Sequence, residues 1–507
     1  MNRILAFLMV ALVWACQKPQ KGPIPLEELT ISQILQAYQN GDFSAEELTQ
    51  AYLDRIQAWD SLTHSISFIH PEALAQAKAM DEEFSKTGKL RPLHGIPLIV
   101  KDNINTIGLP TTAGSLALAD FYPGADAFII QKLKDAGAII LAKSNMAEWA
   151  FSPMHSESST EGTTRNPYHL DHVPAGSSGG TGAAVAANFG TIGLGTDTGN
   201  SIRGPSSHNA LVGFRTTLGL VSREGIVPLY LRNDVVGPMC RTVEDAARVL
   251  QVIAGTDPKD PITANSQGKI PVDYLQSLQK DGLKGARIGV FRTLSEANPD
   301  PEISALFEQS IADLKSLGAV VIDSVGVENF DSLRRNQWCP VFKQDLERFL
   351  ADYVKRDTIK TIEDVIRIGT TSDYARSGLE SFRESQLPEN MEQDCGDPFT
   401  DLKRIAFREA IEKVMDSLQL DALIYPSWNH PPALIERFQE DYKGDNSQVI
   451  APHTGQPAFT VPMGFTAKGL PAGLQFLGKM WSEPTLIRLS YAYEQGTNHR
   501  KPPVLKK

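Results

Sequence analysis

Residues 173–190 read VPAGSSGGTGAAVAANFG, a glycine- and serine-rich run that opens straight into an alanine-rich stretch. A loop of this kind can cradle a phosphate, present a nucleophilic serine, or simply turn the chain. The segments around it constrain the fold. ISQILQAYQNG (31–41) and SAEELTQAYLDRIQAW (44–59) carry helical patterns. The first stops at Asn40-Gly41, and the second opens with a capping box of Ser44 and Glu47. PEALAQAKAMDEEFSK fits a third helix, and HGIPLIVKDNI a short apolar strand running into a polar turn at Lys101-Asp102. AFIIQKLKDAGAIILAKSN reads as helix, glycine turn and strand. TVEDAARVLQVIAG, GARIGVF and EISALFEQSIADLKSLGAVVIDS continue that alternation, which is the pattern of an α/β fold. From about 325 to 400 the pattern weakens, as for a helical cover over a pocket. LDALIYPSW and PAFTVPMGF then read as late buried strands and EPTLIRLSYAYEQG as a closing helix. No repeat and no linker divides the middle, so a single large α/β domain is expected over residues 26–507.

Of the 507 residues, 41% are hydrophobic and 21% charged, enough to bury a large core without disulfides or metal. The net charge of -11, with no lysine or arginine run, argues against a nucleic acid partner.

The first residues have a different character. Asn2-Arg3 precedes ILAFLMVALVWA (4–15), an apolar run too short to span a bilayer, which needs about 20 helical residues. Residues 1–15 fit a secretory signal peptide, and Cys16 follows the small residue Ala15 directly. VWAC resembles a bacterial lipoprotein box, which predicts lipidation at Cys16, a tether over 16–25, and an exported protein held to a membrane of the cell envelope only by that anchor. The other cysteines, Cys240, Cys339 and Cys395, are scattered. An exported chain could join two of the three, and their spacing does not say which. No CxxC or HExxH pattern suggests a metal, and no cofactor is implied.

Three readings compete for the glycine-serine loop. A nucleotide-binding loop places Lys-Ser or Lys-Thr after its last glycine, whereas Gly182 is followed by Ala183-Ala184. Gly176-Ser177-Ser178-Gly179-Gly180 matches G-x-S-x-G with Ser178 as nucleophile, and His430 or His453 could complete a triad. That elbow needs a strand just before it, and HLDHVPA contains Pro174. The third reading joins separate segments. Lys101 lies at the end of an apolar strand where burial would favour the neutral amine, a base able to take a hydroxyl proton. GLGTDTGNSIRG ends a small-residue strand in a turn that would expose Ser201 beside a row of backbone N–H groups. A serine nucleophile needs such a base and such donors, and no histidine is required.

HGIPLIVKDNI, RNPYHLDHVPAGSSGGTGAAVAA and GLGTDTGNSIRGPSSHNALVGFRTTLGLVSREGIVP together resemble the amidase signature enzymes, with weaker echoes from residue 30 and in TGQPAFTVPMGF. The resemblance implies a central mixed β-sheet covered by helices. It also implies a catalytic set of lysine, a serine with a cis peptide bond, and a nucleophilic serine. Ser177 and Ser201 lie 24 positions apart, the family's interval. Lys101 is then the base, Ser177 the proton relay and Ser201 the nucleophile, with Ser178 in support. Backbone N–H groups of Thr198, Gly199, Asn200 and Ser201 would hold the oxyanion, and Asp197 and Arg203 would fix the turn. Asn200 stands where many members have glycine, which bears on substrate preference. The activity implied is hydrolysis of a carboxylic amide, a linear amide C–N bond, to acid and ammonia or amine through an acyl-Ser201 ester. Aryl amides, aliphatic amides and amidated peptides all fit. Other readings are an enzyme of the family's amidotransferase branch, which works in the cytoplasm with partner subunits and a tRNA, and a catalytically silent ligand-binding lipoprotein.

Overall fold

The computed structural model describes residues 22–388 and 395–506; the expected signal peptide, Cys16 and the first part of the tether lie outside them. Eleven strands form one sheet: β1 (Ile66–Ile69), β2 (Pro97–Lys101), β3 (Ile139–Ser144), β4 (Ile192–Asp197), β5 (Val212–Arg215), β6 (Val235–Cys240), β7 (Arg287–Val290), β8 (Val320–Ile322), β9 (Ala422–Pro426), β10 (Ala458–Phe465) and β11 (Pro471–Leu477). Their spatial order is β1-β3-β2-β4-β6-β5-β10-β11-β9-β7-β8. β2 pairs in parallel with β3 and β4, and β7 with β8 and β9, while the pairs from β4 through β6, β5, β10 and β11 to β9 run antiparallel. The sheet is therefore mixed, and helices flank it.

β2 to β6 are buried at every residue. Strands covered on both faces lose the apolar–polar alternation that marks a half-exposed strand. That explains why β5, β6 and β11 are hard to see in the sequence: VGFR, VVGPMC and PAGLQFL carry buried glycine, proline, arginine or glutamine in place of a clean run.

The alanine stretch forms the helix Gly179–Ala186, and all eight of its residues are buried. A helix without large side chains can approach its neighbours closely on every face. Its glycines are required by that contact. A β-carbon on Gly180 would stand 2.1 Å from the Asn145 carbonyl oxygen, and one on Gly176 2.3 Å from that of His155. Close packing of loop against loop accounts for the glycines that first suggested a phosphate cradle.

Between Phe330 and Glu384 lie short helices, among them Phe342–Phe349, Ile362–Ile368 and Asp373–Glu384. Their apolar faces share a cluster with Phe121, Trp149 and Val227. A disulfide joins Cys339 to Cys395, so the chain entering this region is tied to the chain leaving it. Cys240 is free and buried on β6.

Candidate active site

β2 delivers Lys101 into the interior, where its side chain has no solvent exposure. Its Nζ lies 2.7 Å from Ser177 Oγ, 2.8 Å from Thr196 Oγ1 and 3.4 Å from the Thr196 carbonyl oxygen. Burial brings the amine from its usual 10.5 down to about 7, although the negative charges of Asp197 and Asp234 pull the other way. A neutral amine has two N–H donors and one lone pair. Both Thr196 oxygens take the donors, leaving the lone pair facing Ser177, whose hydroxyl then donates to it. Asn103 Nδ2 donates to Thr196 Oγ1 at 3.1 Å and to the Val227 carbonyl at 3.2 Å, fixing that acceptor.

The glycine-serine loop carries Ser177, and the Gly176–Ser177 peptide bond is cis. The Ala147 N–H donates to the Ser177 carbonyl at 3.0 Å, and the Gly176 N–H to that of Pro153 at 3.0 Å. Ser178 Oγ donates to the Thr196 carbonyl at 3.2 Å, and the Ser178 N–H to the Ser201 carbonyl at 3.3 Å. The G-x-S-x-G reading fails on these contacts. Ser178 is turned toward a main-chain acceptor, and among the described residues no histidine hydrogen-bonds to it. His430 meets the Asn298 carbonyl, and His453 is held neutral by burial, its pKa brought down to about 3. The phosphate reading finds no room here: Gly179 donates to Ser156 Oγ at 3.0 Å, and every residue from Gly179 to Ala186 is buried against protein.

β4 ends at Asp197 and turns through Thr198-Gly199-Asn200 to Ser201. The Asp197 carboxylate holds this turn together. It accepts from the N–H groups of Ile202 and Arg203, from Arg203 Nε at 3.1 Å and from Arg215 Nη1 at 2.8 Å. Burial alone would raise its pKa, but the two guanidiniums hold it well below the carboxylate range. Arg203 Nη2 also donates to the Gly199 carbonyl at 2.6 Å, and Thr198 Oγ1 to Asp234 Oδ1 at 2.6 Å. The turn is thus pinned from behind. Among the described residues no acceptor pairs with the N–H groups of Gly199, Asn200 or Ser201.

Those residues, with Thr198, form part of the wall of a cavity of about 700 Å³. Phe151, Leu229, Tyr230, Trp338, Phe342 and Phe382 supply its apolar wall, the last three from the region of short helices. Asn200 gives Nδ2 to the Pro153 carbonyl at 3.3 Å, while its buried Oδ1 has no protein partner among the described residues. Of the expected set, Ser201 lines the cavity; Ser178 is joined to it through the main chain, Asp197 and Arg203 hold its turn, and Lys101 bonds to Ser177, all of them buried. Ser177 and Ser201 do not hydrogen-bond to each other through their side chains here. Sequence patterns alone do not reveal Asn103, Thr196, Arg215 and Asp234, none of which carries a motif of its own; Arg215 alone has a signal, as a charge inside an otherwise apolar strand.

A family model described as Amidase matches residues 47–487. A probable amidase of Arabidopsis thaliana is 34% identical over 525 residues, covering 99% of this chain and 97% of its own length. A glutamyl-tRNA(Gln) amidotransferase subunit from Microcystis aeruginosa is 35% identical, covering 94% and 99%. Among solved structures, the native peptide amidase from Stenotrophomonas maltophilia superposes with a TM-score of 0.84 at 36% identity, covering 95% of this chain and 100% of that one. The matched span, the mixed sheet and these relatives agree: the chain belongs to the amidase signature family of enzymes acting on amide C–N bonds.

Proposed function

We propose that the protein is a stand-alone amidase that hydrolyses a carboxylic amide to acid and ammonia or amine through an acyl ester on Ser201. One observation carries this reading: a buried lysine, uncharged once the pH exceeds about 7, lies 2.7 Å from Ser177 behind the turn that presents Ser201. Lys101 takes the Ser177 proton as Ser177 takes that of Ser201, and Ser201 attacks the amide carbon. The hydrogen bond between the two serines forms once substrate is bound, since catalytic contacts commonly tighten in the complex. The unpaired N–H groups of Gly199, Asn200 and Ser201, with that of Thr198, receive the oxyanion. Run backwards, the relay protonates the departing amine, and water then cleaves the acyl-Ser201 ester.

Hydrolysis is favoured over the transfer role named for the amidotransferase relatives by the leader sequence and by the Cys339–Cys395 disulfide. Disulfides persist in oxidising compartments, which fits export and a lipid anchor on Cys16. The test is an ammonia-release screen over amides, esters and amidated peptides, run beside Ser201→Ala and with fluorophosphonate mass mapping. Free ammonia and label on Ser201 are expected. Label on Ser178, or no label on any serine, would overturn the assignment.

A further inference from the structure

Gln448 lies in the cavity wall beside the oxyanion turn, and the groups behind it orient its amide. Behind it stands Asp445, whose Oδ2 accepts from Gln448 Nε2 at 3.0 Å and from the Tyr442 hydroxyl at 3.1 Å. Gln448 Nε2 also donates to the Tyr442 oxygen. Above about pH 7, where Asp445 has lost its proton, the carboxylate accepts and does not donate, so the nitrogen of Gln448 must face it. Both of its N–H groups are then used, one on Asp445 and one on Tyr442. What remains for the cavity is the carbonyl oxygen, Oε1. That oxygen packs against the oxyanion turn: a β-carbon on Gly199 would lie 2.9 Å from it. The site therefore offers a substrate N–H donors for its carbonyl oxygen and, next to them, one fixed neutral acceptor.

Resting on the amidase reading above, we propose that Gln448, oriented by Asp445 and Tyr442, is a specificity-determining residue that accepts an N–H from the acyl side of the substrate. The substrate class this selects is the amidated peptide or N-acyl amino acid amide, which carries an N–H one carbon from the scissile carbonyl. Simple aryl and aliphatic amides have no donor there. The aromatic wall of Tyr230, Trp338, Phe342 and Phe382 would take an apolar side chain of the same residue. A site with a built-in polar partner rejects an analogue lacking the matching group, because its own group is left unpaired.

The experiment compares N-acetylphenylalaninamide with the analogue in which the α-nitrogen is replaced by ester oxygen. The two differ in one N–H. The assay runs at about pH 9. There the Lys101 amine is uncharged and Asp445, pushed up to about 7 by burial, is ionised. Wild-type kcat/KM should favour the N–H substrate by about 10-fold or more. Gln448→Leu should bring that ratio close to one by slowing the N–H substrate alone. Asp445→Asn keeps the glutamine but frees its amide to turn over, and should lower the ratio as well. This second variant separates orientation from bulk, and thermal melting of both variants checks that they fold. A wild-type ratio near one, or an unchanged ratio in Gln448→Leu, overturns the proposal while turnover persists. Loss of all turnover together with no label on Ser201 would instead sink the amidase reading, and this proposal with it.

Discussion

At the scale of single residues, chemistry depends on where one proton sits. Lys101 is a base only while its lone pair is free, and burial brings that condition down to about pH 7. The sign is fixed: below that value the amine is a cation whose third hydrogen occupies Ser177, so the proposed relay would be blocked. We expect kcat/KM to fall as pH drops through about 7, and a flat acid limb would contradict a lysine base. Ser201→Ala should lower turnover at least ~10³-fold, with Lys101→Met close behind, because the members of such a set act as a unit. Steady-state kinetics near wild type in either variant would refute these roles. Ser178→Ala should cost far less, about 10-fold, since it removes one neutral hydrogen bond to the Thr196 carbonyl.

At the scale of elements, two devices position the site. The turn after β4 depends on Asp197, buried between Arg203 and Arg215. Removing one member of a buried charge set leaves the others uncompensated, so Asp197→Asn should destabilise the fold by about 3–5 kcal/mol in denaturant unfolding. The cover is closed by Cys339–Cys395, which are 56 positions apart. By loop entropy that link contributes about 4 kcal/mol. The Cys339→Ser/Cys395→Ser double variant should therefore melt earlier and show a raised KM, as Cys339 also lines the cavity. An unchanged melting curve would show that the cover holds without the link. These elements also mark what was legible in the sequence. Helix caps at Ser44 and Gly41, the β2 strand and the loops bearing Ser177 and Ser201 are local signals, written in adjacent residues. The partner of Asp197 on β5, the acceptor Thr196 and the choice of Cys395 over Cys240 are set by which strands meet in space. Sheet order is non-local, and nothing in VGFR or in a single cysteine reports its neighbour.

At the scale of the whole molecule, the sheet is what keeps an amine dry. Lys101 sits on the third strand from one edge, between β3 and β4, and has no exposure. Folding must strip this amine of water and of its proton. Above about pH 8, where Lys101 and Lys143 (brought down to about 8 by burial) have lost their protons in the fold, an unfolded chain still binds them up to the usual 10.5. The two lysines should accordingly add a stability contribution that rises with pH through that window, read as a slope that is lower in Lys101→Met than in wild type. Beyond the fold, the proposed anchor predicts palmitate incorporation that disappears in Cys16→Ser; incorporation that persists would rule it out. All of the chemistry returns to the state of one nitrogen. It can be read by NMR titration of lysine labelled at Cε and Nζ, with the Lys101 signal assigned by its absence in Lys101→Met. A midpoint near 7 is predicted; a midpoint near 10.5, the value of an ordinary solvated lysine, would contradict a neutral amine as the base that arms the nucleophile.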